Sequence, residues 1–335
     1  MDGAKRSRTA QVVAAERALL ASRGVLDDPF AREMLTPSMG ATVWVVEYGP
    51  RRIWTRSVTL AGLAARVRWF DLQLVSALNA GTEQVAVIGT GYDSRPWRIR
   101  SNGVRFFELD HPATQQDKVR RARQPSPVYV ESDLTTEDAA RSLQDYGFDA
   151  SQPALIILEG VTMYLGEEVV RRQLELLGRM SAIGSRLAID FYPPSNAGTA
   201  QHHRQLRLQQ LARSGSGESF RLALDRPQAV GLVQASGWNI DEVMSLRDAA
   251  RTLVLPESGL PTDAVNPLAW HKSLSIPYRC RLGWTPSHLQ NLLTRQRRGP
   301  ESHPLCHLNR GPRPARLGQP LLGGWGHCDR NSDGR

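Results

Sequence analysis

The sequence predicts an α/β fold: a mostly parallel sheet with helices on both faces and a helical cap at the N-terminus. Three observations predict it. From about residue 83 to about residue 246, short apolar runs alternate with helix-compatible segments, the signature of βαβ units. The first eighty residues carry helical periodicity and no strand pattern. The first apolar run ends in Gly89-Thr90-Gly91, two glycines where a strand turns towards a helix.

The elements follow in order. TAQVVAAERALLASR (9–23) repeats apolar residues at helical spacing. DDPFAREML (27–35) predicts a second, short helix, with Asp28 as N-cap and Pro29 in the first helical position. A third helical pattern runs from about Tyr48 to Ala80 and contains LAARVRWFDLQLVSAL. Strands are predicted at EQVAVIG (83–89), VRFFELD (104–110), PVYVES (127–132), PALIILE (153–159) and SRLAIDFY (185–192). GEEVVRRQLELLGRM (166–180) is the clearest helix between them. A polar helix flanked by breaker-rich loops follows Tyr192 and reads as a lid insertion, about 193–220. RPQAVGLVQASGW (226–238) then reads as a helix and NIDEVMSL (239–246) as a strand. This gives a cap over 1–80, a core over 81–278 and a tail over 279–335. Right-handed crossovers put the strand C-termini on one edge, the edge that holds ligands in open α/β sheets.

Composition narrows the class. A chain of 335 residues, 41% hydrophobic and 22% charged, suits one large soluble α/β domain with embellishments. No apolar run reaches the roughly 18 residues of a membrane span, and no apolar signal core follows the basic N-terminus, so neither a membrane nor secretion is expected. The net charge is +9, yet between Arg279 and Arg335 there are 10 Arg and Lys against 3 Asp and Glu. The basicity therefore belongs to the tail, and the body offers no phosphate-tracking groove, so no nucleic-acid partner is expected. That tail is rich in Arg, Gly and Pro without periodicity, a composition that predicts disorder. Cys280, Cys306 and Cys328 all lie in it. With His303 and His307 they match no standard zinc spacing, so no metal is expected. A body without cysteine fits a cytoplasmic location. Oligomeric state is left open.

The glycine turn and the strand ends point to a ligand. The dinucleotide fingerprint wants a third glycine where Ser94 stands. The second strand ends in Glu-Leu-Asp, placing Asp110 about twenty residues past the turn, where a carboxylate accepts from ribose hydroxyls. Asp133 and Leu134 after the third strand suit an adenine, one as acceptor for the amine and the other as a flat apolar contact. The fourth strand ends in Glu159-Gly160. Carboxylates without phosphate donors suit a cationic nucleoside, and S-adenosylmethionine is one.

These same residues carry a resemblance. Gly-Thr-Gly-Tyr-Asp-Ser-Arg, Phe-Glu-Leu-Asp-His-Pro with the following Lys118, and Glu-Gly-Val-Thr-Met-Tyr-Leu resemble the ordered motifs of the leucine carboxyl methyltransferase-like family. Upstream, Asp28-Pro29-Phe30-Ala31 and Arg66-Val67-Arg68-Trp69-Phe70-Asp71 resemble two more. The match covers roughly residues 10–275. It implies a Rossmann-like class I methyltransferase fold, S-adenosylmethionine as methyl donor, and O-methylation of a carboxylate or hydroxyl on a small molecule. By the resemblance Arg66, rather than Arg68, holds the methionine carboxylate. Gly89 and Gly91 let the backbone pass the methionine moiety, Asp110 binds the ribose, Asp133 and Leu134 frame the adenine, and Glu159 lines the methionine end. Asp93 and Arg95 brace the turn, Asp93 capping the next helix. Tyr92 and Pro96-Trp97 depart from the usual pattern.

The acceptor is less legible. A hydroxyl acceptor needs a general base, for which His202 and His203 in the insertion are candidates; Tyr164 could orient a substrate. The N-terminal helices and the insertion are expected to cover the acceptor, with Trp44, Tyr48 and Trp54 either lining an aromatic site or packing as core. Two other classes stay open: a non-catalytic nucleoside-binding domain, and an NAD(P)-dependent oxidoreductase, which the missing third glycine and Tyr-x-x-x-Lys disfavour.

Overall fold

The computed structural model describes residues 7–49, 57–194, 220–265 and 270–275. All of these belong to one compact unit, Met1–Gly283. The insertion helix, Trp54, His202, His203 and the tail lie outside the described residues.

Three helices open the chain among the described residues. Helix α1 (Arg8–Ser22) is capped by Ser7, whose hydroxyl accepts from the Ala10 N–H. Helix α2 (Pro37–Tyr48) starts at Thr36 with Pro37 in its first turn. Helix α3 (Val58–Asn79) is capped by Ser57 and buries fourteen of its residues, Trp69 and Phe70 among them. The core then alternates: β1 (Gln84–Ile88), the single turn α4 (Arg95–Arg98), β2 (Arg105–Asp110), α5 (Pro112–Val119), β3 (Val128–Glu131) and α6 (Ala139–Asp145). There follow β4 (Ala154–Leu158), α7 (Glu167–Met180), β5 (Arg186–Phe191), α8 (Arg226–Ala235), β6 (Asn239–Ser245), α9 (Leu246–Leu253) and β7 (Trp270–Ser275).

The sheet has seven strands in the order β3-β2-β1-β4-β5-β7-β6. The pairs among the first five are parallel, and β7 runs antiparallel to both β5 and β6. Every residue of β1 and β4 is buried, as central strands covered by helices on both faces must be. Side chains such as Ile156 and Leu187 are fully enclosed, each contributing roughly 1.5–3 kcal/mol by leaving water. The registers decide where the strand ends arrive. Ile88 pairs with Leu109, and Val87 with Ile157, so Gly89, Asp110 and Glu159 reach one edge at the same level.

The fold departs from the prediction in three places. Residues 29–34 form turns, not a helix, because Asp28 spends its carboxylate on the Arg17 guanidinium and the Ser94 hydroxyl instead of on a cap. The helix α2 has no counterpart in the prediction: its sequence is apolar nearly all round, so no stripe marks it. Strand β7 was also unread, since WHKSLS holds no β-branched residue. No helix among the described residues is long and apolar enough to cross a membrane.

Candidate active site

A cavity of about 220 Å³ opens over the strand edge. Its floor is the turn after β1. Gly89 and Gly91 sit at φ +67° and +53°, in the left-handed region that an L side chain enters only at a cost. Space demands glycine as well. A Cβ on Gly89 would stand 2.3 Å from Val161 Cγ2, and one on Gly91 would stand 3.0 Å from the Ala10 methyl of α1. Helix α1 thus packs directly on the turn and walls the cavity with Ala10, Val13, Ala14 and Arg17.

Asp110 closes the turn from the next strand. Its Oδ2 accepts from the Gly91 N–H at 2.5 Å and its Oδ1 from the His111 N–H at 2.7 Å. Each carboxylate oxygen keeps a lone pair for a hydroxyl donor. Burial pushes this carboxyl above its ordinary range, against the pull of those two N–H bonds and of the Lys118 charge. Asp133 lines the cavity beside Leu134. Its Oδ1 accepts from both the N–H and the hydroxyl of Thr135. Burial works to raise it, but these bonds hold it below the usual carboxylate range.

The other end of the cavity is an ion network. Glu159 gives Oε1 to Arg66 Nε at 3.0 Å and Oε2 to Arg95 Nη1 at 2.7 Å. Arg66 Nη1 also donates to the Tyr192 hydroxyl at 3.2 Å, and its Nη2 has no acceptor among the described residues. Gly160, at φ +68°, lets the Arg66 guanidinium lie against the backbone: a Cβ there would meet it at 3.4 Å. Arg68, by contrast, turns away and donates to the Val25 carbonyl. Arg95 joins Asp71 (2.7 Å) and Asp93 (2.5 Å) to Glu159, while Arg98 forks onto both oxygens of Asp71 at 2.6 Å. Asp93 also accepts the Arg95 N–H at 2.7 Å, which starts only a single helical turn. Burial acts to raise Asp93, yet Arg95, Arg17 and Lys118 outweigh it and hold it well below its ordinary range.

This donor set fits S-adenosylmethionine. Asp110 offers lone pairs to a ribose, Asp133 and Leu134 an acceptor and an apolar surface to an adenine, and Arg66 an Nη2 with no acceptor among the described residues to a carboxylate. The glycine cradle stands between them.

The sequence-wide comparison agrees with this geometry. The profile of the leucine carboxyl methyltransferase family matches residues 9–178. A protein of Mycobacterium avium (strain 104) named "Putative S-adenosyl-L-methionine-dependent methyltransferase" is 31% identical over 261 residues, which cover 69% of this chain and 80% of that one. This chain belongs to the leucine carboxyl methyltransferase family. With that family it is an S-adenosylmethionine-dependent methyltransferase. Two solved structures share its fold. A "putative methyltransferase" from Thermobifida fusca YX aligns with TM-score 0.52 and 18% identity, covering 82% of this chain and 96% of that one. A DUF574 family protein from Streptomyces avermitilis MA-4680 aligns with TM-score 0.53 and 17% identity, covering 81% and 98%.

The structure of the methyltransferase also supplies what the sequence concealed. Ser94, standing where a dinucleotide site has its third glycine, is a fully buried node: it donates to Asp28 Oδ1 at 2.7 Å and accepts from Arg17 Nη2 at 2.6 Å and Arg98 Nε at 3.1 Å. Arg17, unnoticed on a helix read as apolar, thereby ties α1 to the turn, and its Nη1 donates to the Tyr92 carbonyl. Tyr92 is itself buried, with its hydroxyl on Asp117 Oδ2 at 2.6 Å. Asp190 at the end of β5 was equally hidden. Its Oδ1 accepts the Gly160 N–H at 2.8 Å, its Oδ2 has no hydrogen-bond partner among the described residues, and burial pushes it up to about 7. Tyr164 lines the cavity and meets Phe220 edge-on at 5.5 Å. Trp44 and Tyr48 do not line the cavity and are not core either: they are 57% and 74% exposed, because only Val43 of α2 is buried.

Proposed function

We propose that the chain methylates an oxygen of a small-molecule acceptor, a carboxylate ahead of a hydroxyl. The observation that carries this is Arg221. The N–H groups of Arg221 and Leu222 donate to the Met163 carbonyl at 2.8 and 3.3 Å, pinning that segment beside Tyr164. Arg221 is among the residues that line the cavity, and no described residue supplies it with a carboxylate. A guanidinium with no carboxylate partner among the described residues, in a cavity it shares with the apolar Met163 and Leu165, suits an acceptor that is itself anionic.

When bound, S-adenosylmethionine supplies a methyl group on a sulfonium, and a neutral thioether departs. The protein's part is then alignment, which can lower a barrier by up to roughly 7–11 kcal/mol. Arg66, Asp110 and Asp133 hold the donor at three points, and Arg221 and Tyr164 orient the acceptor. A carboxylate nucleophile needs no proton removed. A hydroxyl would need a base, and His202 and His203, the candidates for that role, lie outside the described residues. A cysteine-free body from Met1 to Arg279 supports a cytoplasmic setting for the reaction.

The test uses methyl-labelled S-adenosylmethionine and an extract of small acids, alcohols and phenols. A carboxyl ester releases its label as methanol in mild alkali; an ether does not. Alkali-labile product, reduced at least tenfold by Arg221→Ala with unchanged S-adenosylhomocysteine affinity, is the expected result. Alkali-stable product would favour the hydroxyl acceptor. Cofactor binding without any transfer would leave a nucleoside-binding domain.

A further inference from the structure

Behind the glycine turn, and lining no part of the cavity, lies a fully enclosed ion pair. Lys118 Nζ stands 2.7 Å from Glu108 Oε2, and neither side chain exposes any surface. The ammonium also donates to the Thr90 hydroxyl at 3.0 Å, and the Trp97 ring lies 5.5 Å from it. Thr90 is the residue between the two cradle glycines. Gln115 holds the far side, its side-chain amide donating to the Glu108 carbonyl at 2.9 Å.

Stability alone does not account for such a pair. Taking two charges out of water is costly, and replacing a buried pair with well-packed apolar residues is often neutral or stabilising. What the pair does have is an address. Lys118 acts by its charge on three carboxylates: Glu108 within β2, Asp93 beyond the turn, and Asp110 at the end of β2. The groups in contact with it are Thr90 of the turn, Trp97 of α4 and Glu108 of β2; its charge also acts on Asp93 and Asp110, and Glu108 in turn acts on Tyr129 of β3. Asp93 has Arg95, Arg17 and Arg98 as further cations. For Asp110 the cationic influences are Lys118 and the neighbouring His111.

We propose that Lys118 is a positioning residue of the cofactor site: it seats Thr90 from behind, sets the spacing of Gly89 and Gly91, and places a buried positive charge opposite Asp110. The proposal rests on Asp110 as the ribose acceptor. Burial alone pushes the Asp110 carboxyl upward, and a protonated acid would lose its acceptor character towards a ribose. The ammonium offsets this from a side the ligand never touches. No covalent step is involved.

Calorimetric titration of the full chain with S-adenosylhomocysteine tests this across about pH 5 to about pH 8. The double variant Glu108→Gln with Lys118→Met removes both charges at once, so neither is left buried and alone. Its affinity should fall at least about tenfold near neutral pH. The pH at which binding is half lost should also rise, since Asp110 then protonates sooner. A structural role alone would lower the melting temperature without moving that midpoint. Unchanged affinity, or weakened affinity with an unmoved midpoint, would overturn the proposal. If the double variant does not fold, Lys118→Arg decides. It keeps the charge and alters the seat of Thr90, so the midpoint should hold while affinity drops at least about threefold. An unaltered affinity or a displaced midpoint in that variant would be equally fatal. Failure of Asp110→Ala to weaken binding would instead strike the ribose assignment, which separates the two.

Discussion

Asp110→Asn isolates the ribose contact with little change of volume. In the native site both carboxylate oxygens accept backbone N–H groups, from Gly91 at 2.5 Å and His111 at 2.7 Å. An amide can satisfy only one of them, and its NH2 then faces the other donor. The turn therefore loses one charge-assisted bond, and the ligand loses a charged acceptor. Hydrogen bonds to charged groups contribute about 1.5–3 kcal/mol each, so the ligand contact alone is expected to weaken S-adenosylhomocysteine binding by roughly ten- to 150-fold. Isothermal titration gives the affinity directly, with far-ultraviolet circular dichroism to confirm the fold. Acid provides a second reading. Because Asp110 is raised above its ordinary value, native binding should fade as pH drops through that raised value. The Asn variant should be flat over the same interval. An unchanged dissociation constant, or an identical acid limb in the two proteins, would refute the reasoning.

Further expectations concern neighbouring groups. Gly89→Ala must take a side chain to φ +67° and drive a methyl to 2.3 Å from Val161. The backbone strain alone costs roughly 1–2 kcal/mol, so a lower melting temperature and at least tenfold weaker cofactor binding should be seen together. Arg66→Lys should remove most cofactor affinity, while Arg68→Lys, outside the cavity, should leave it within about twofold; equal effects in calorimetry would reverse that assignment. Arg95→Met takes one cation from each of Asp71, Asp93 and Glu159, and breaking one partner of a buried pair costs about 3–5 kcal/mol. Chemical denaturation should report a loss of that order. Asp190 is raised to about 7, so its stabilising share is full below the unfolded value of about 4 and is lost as pH rises through about 7. The native melting temperature should therefore decline between about pH 4 and about pH 7 and level off above that, and less steeply in Asp190→Asn; parallel curves would dismiss Asp190 as the cause.

Much of this was written in the sequence wherever a local rule governs. Five strands and the helix at 167–180 announced themselves because burial on two faces forces continuous apolar runs, and one-sided burial forces a 3.6-residue stripe. The motif residues Arg66, Gly89, Gly91, Asp110, Asp133, Leu134 and Glu159 do converge on one cavity. What stayed hidden depends on partners distant in sequence. Arg17 meets Ser94, 77 positions away, and nothing within α1 marks it. Asp28 looked like a cap because Pro29 follows it, and only the folded chain shows the guanidinium that claims it. Arg221 could not be told from any surface arginine until the Met163 carbonyl fixed its backbone.

The α1 wall is fastened near both ends: Ser7 N–H to the Thr114 hydroxyl at 3.0 Å, and Arg17 to the Ser94 node. Gln11 adds a rivet between them, bonded to the Met34 carbonyl and the Thr36 N–H, each at 2.9 Å. A spent donor is therefore expected to depart slowly, and turnover to be timed by product departure rather than by bond making. In a rapid-mixing experiment this would emerge as a burst of one methyl per protein, followed by a slower steady rate.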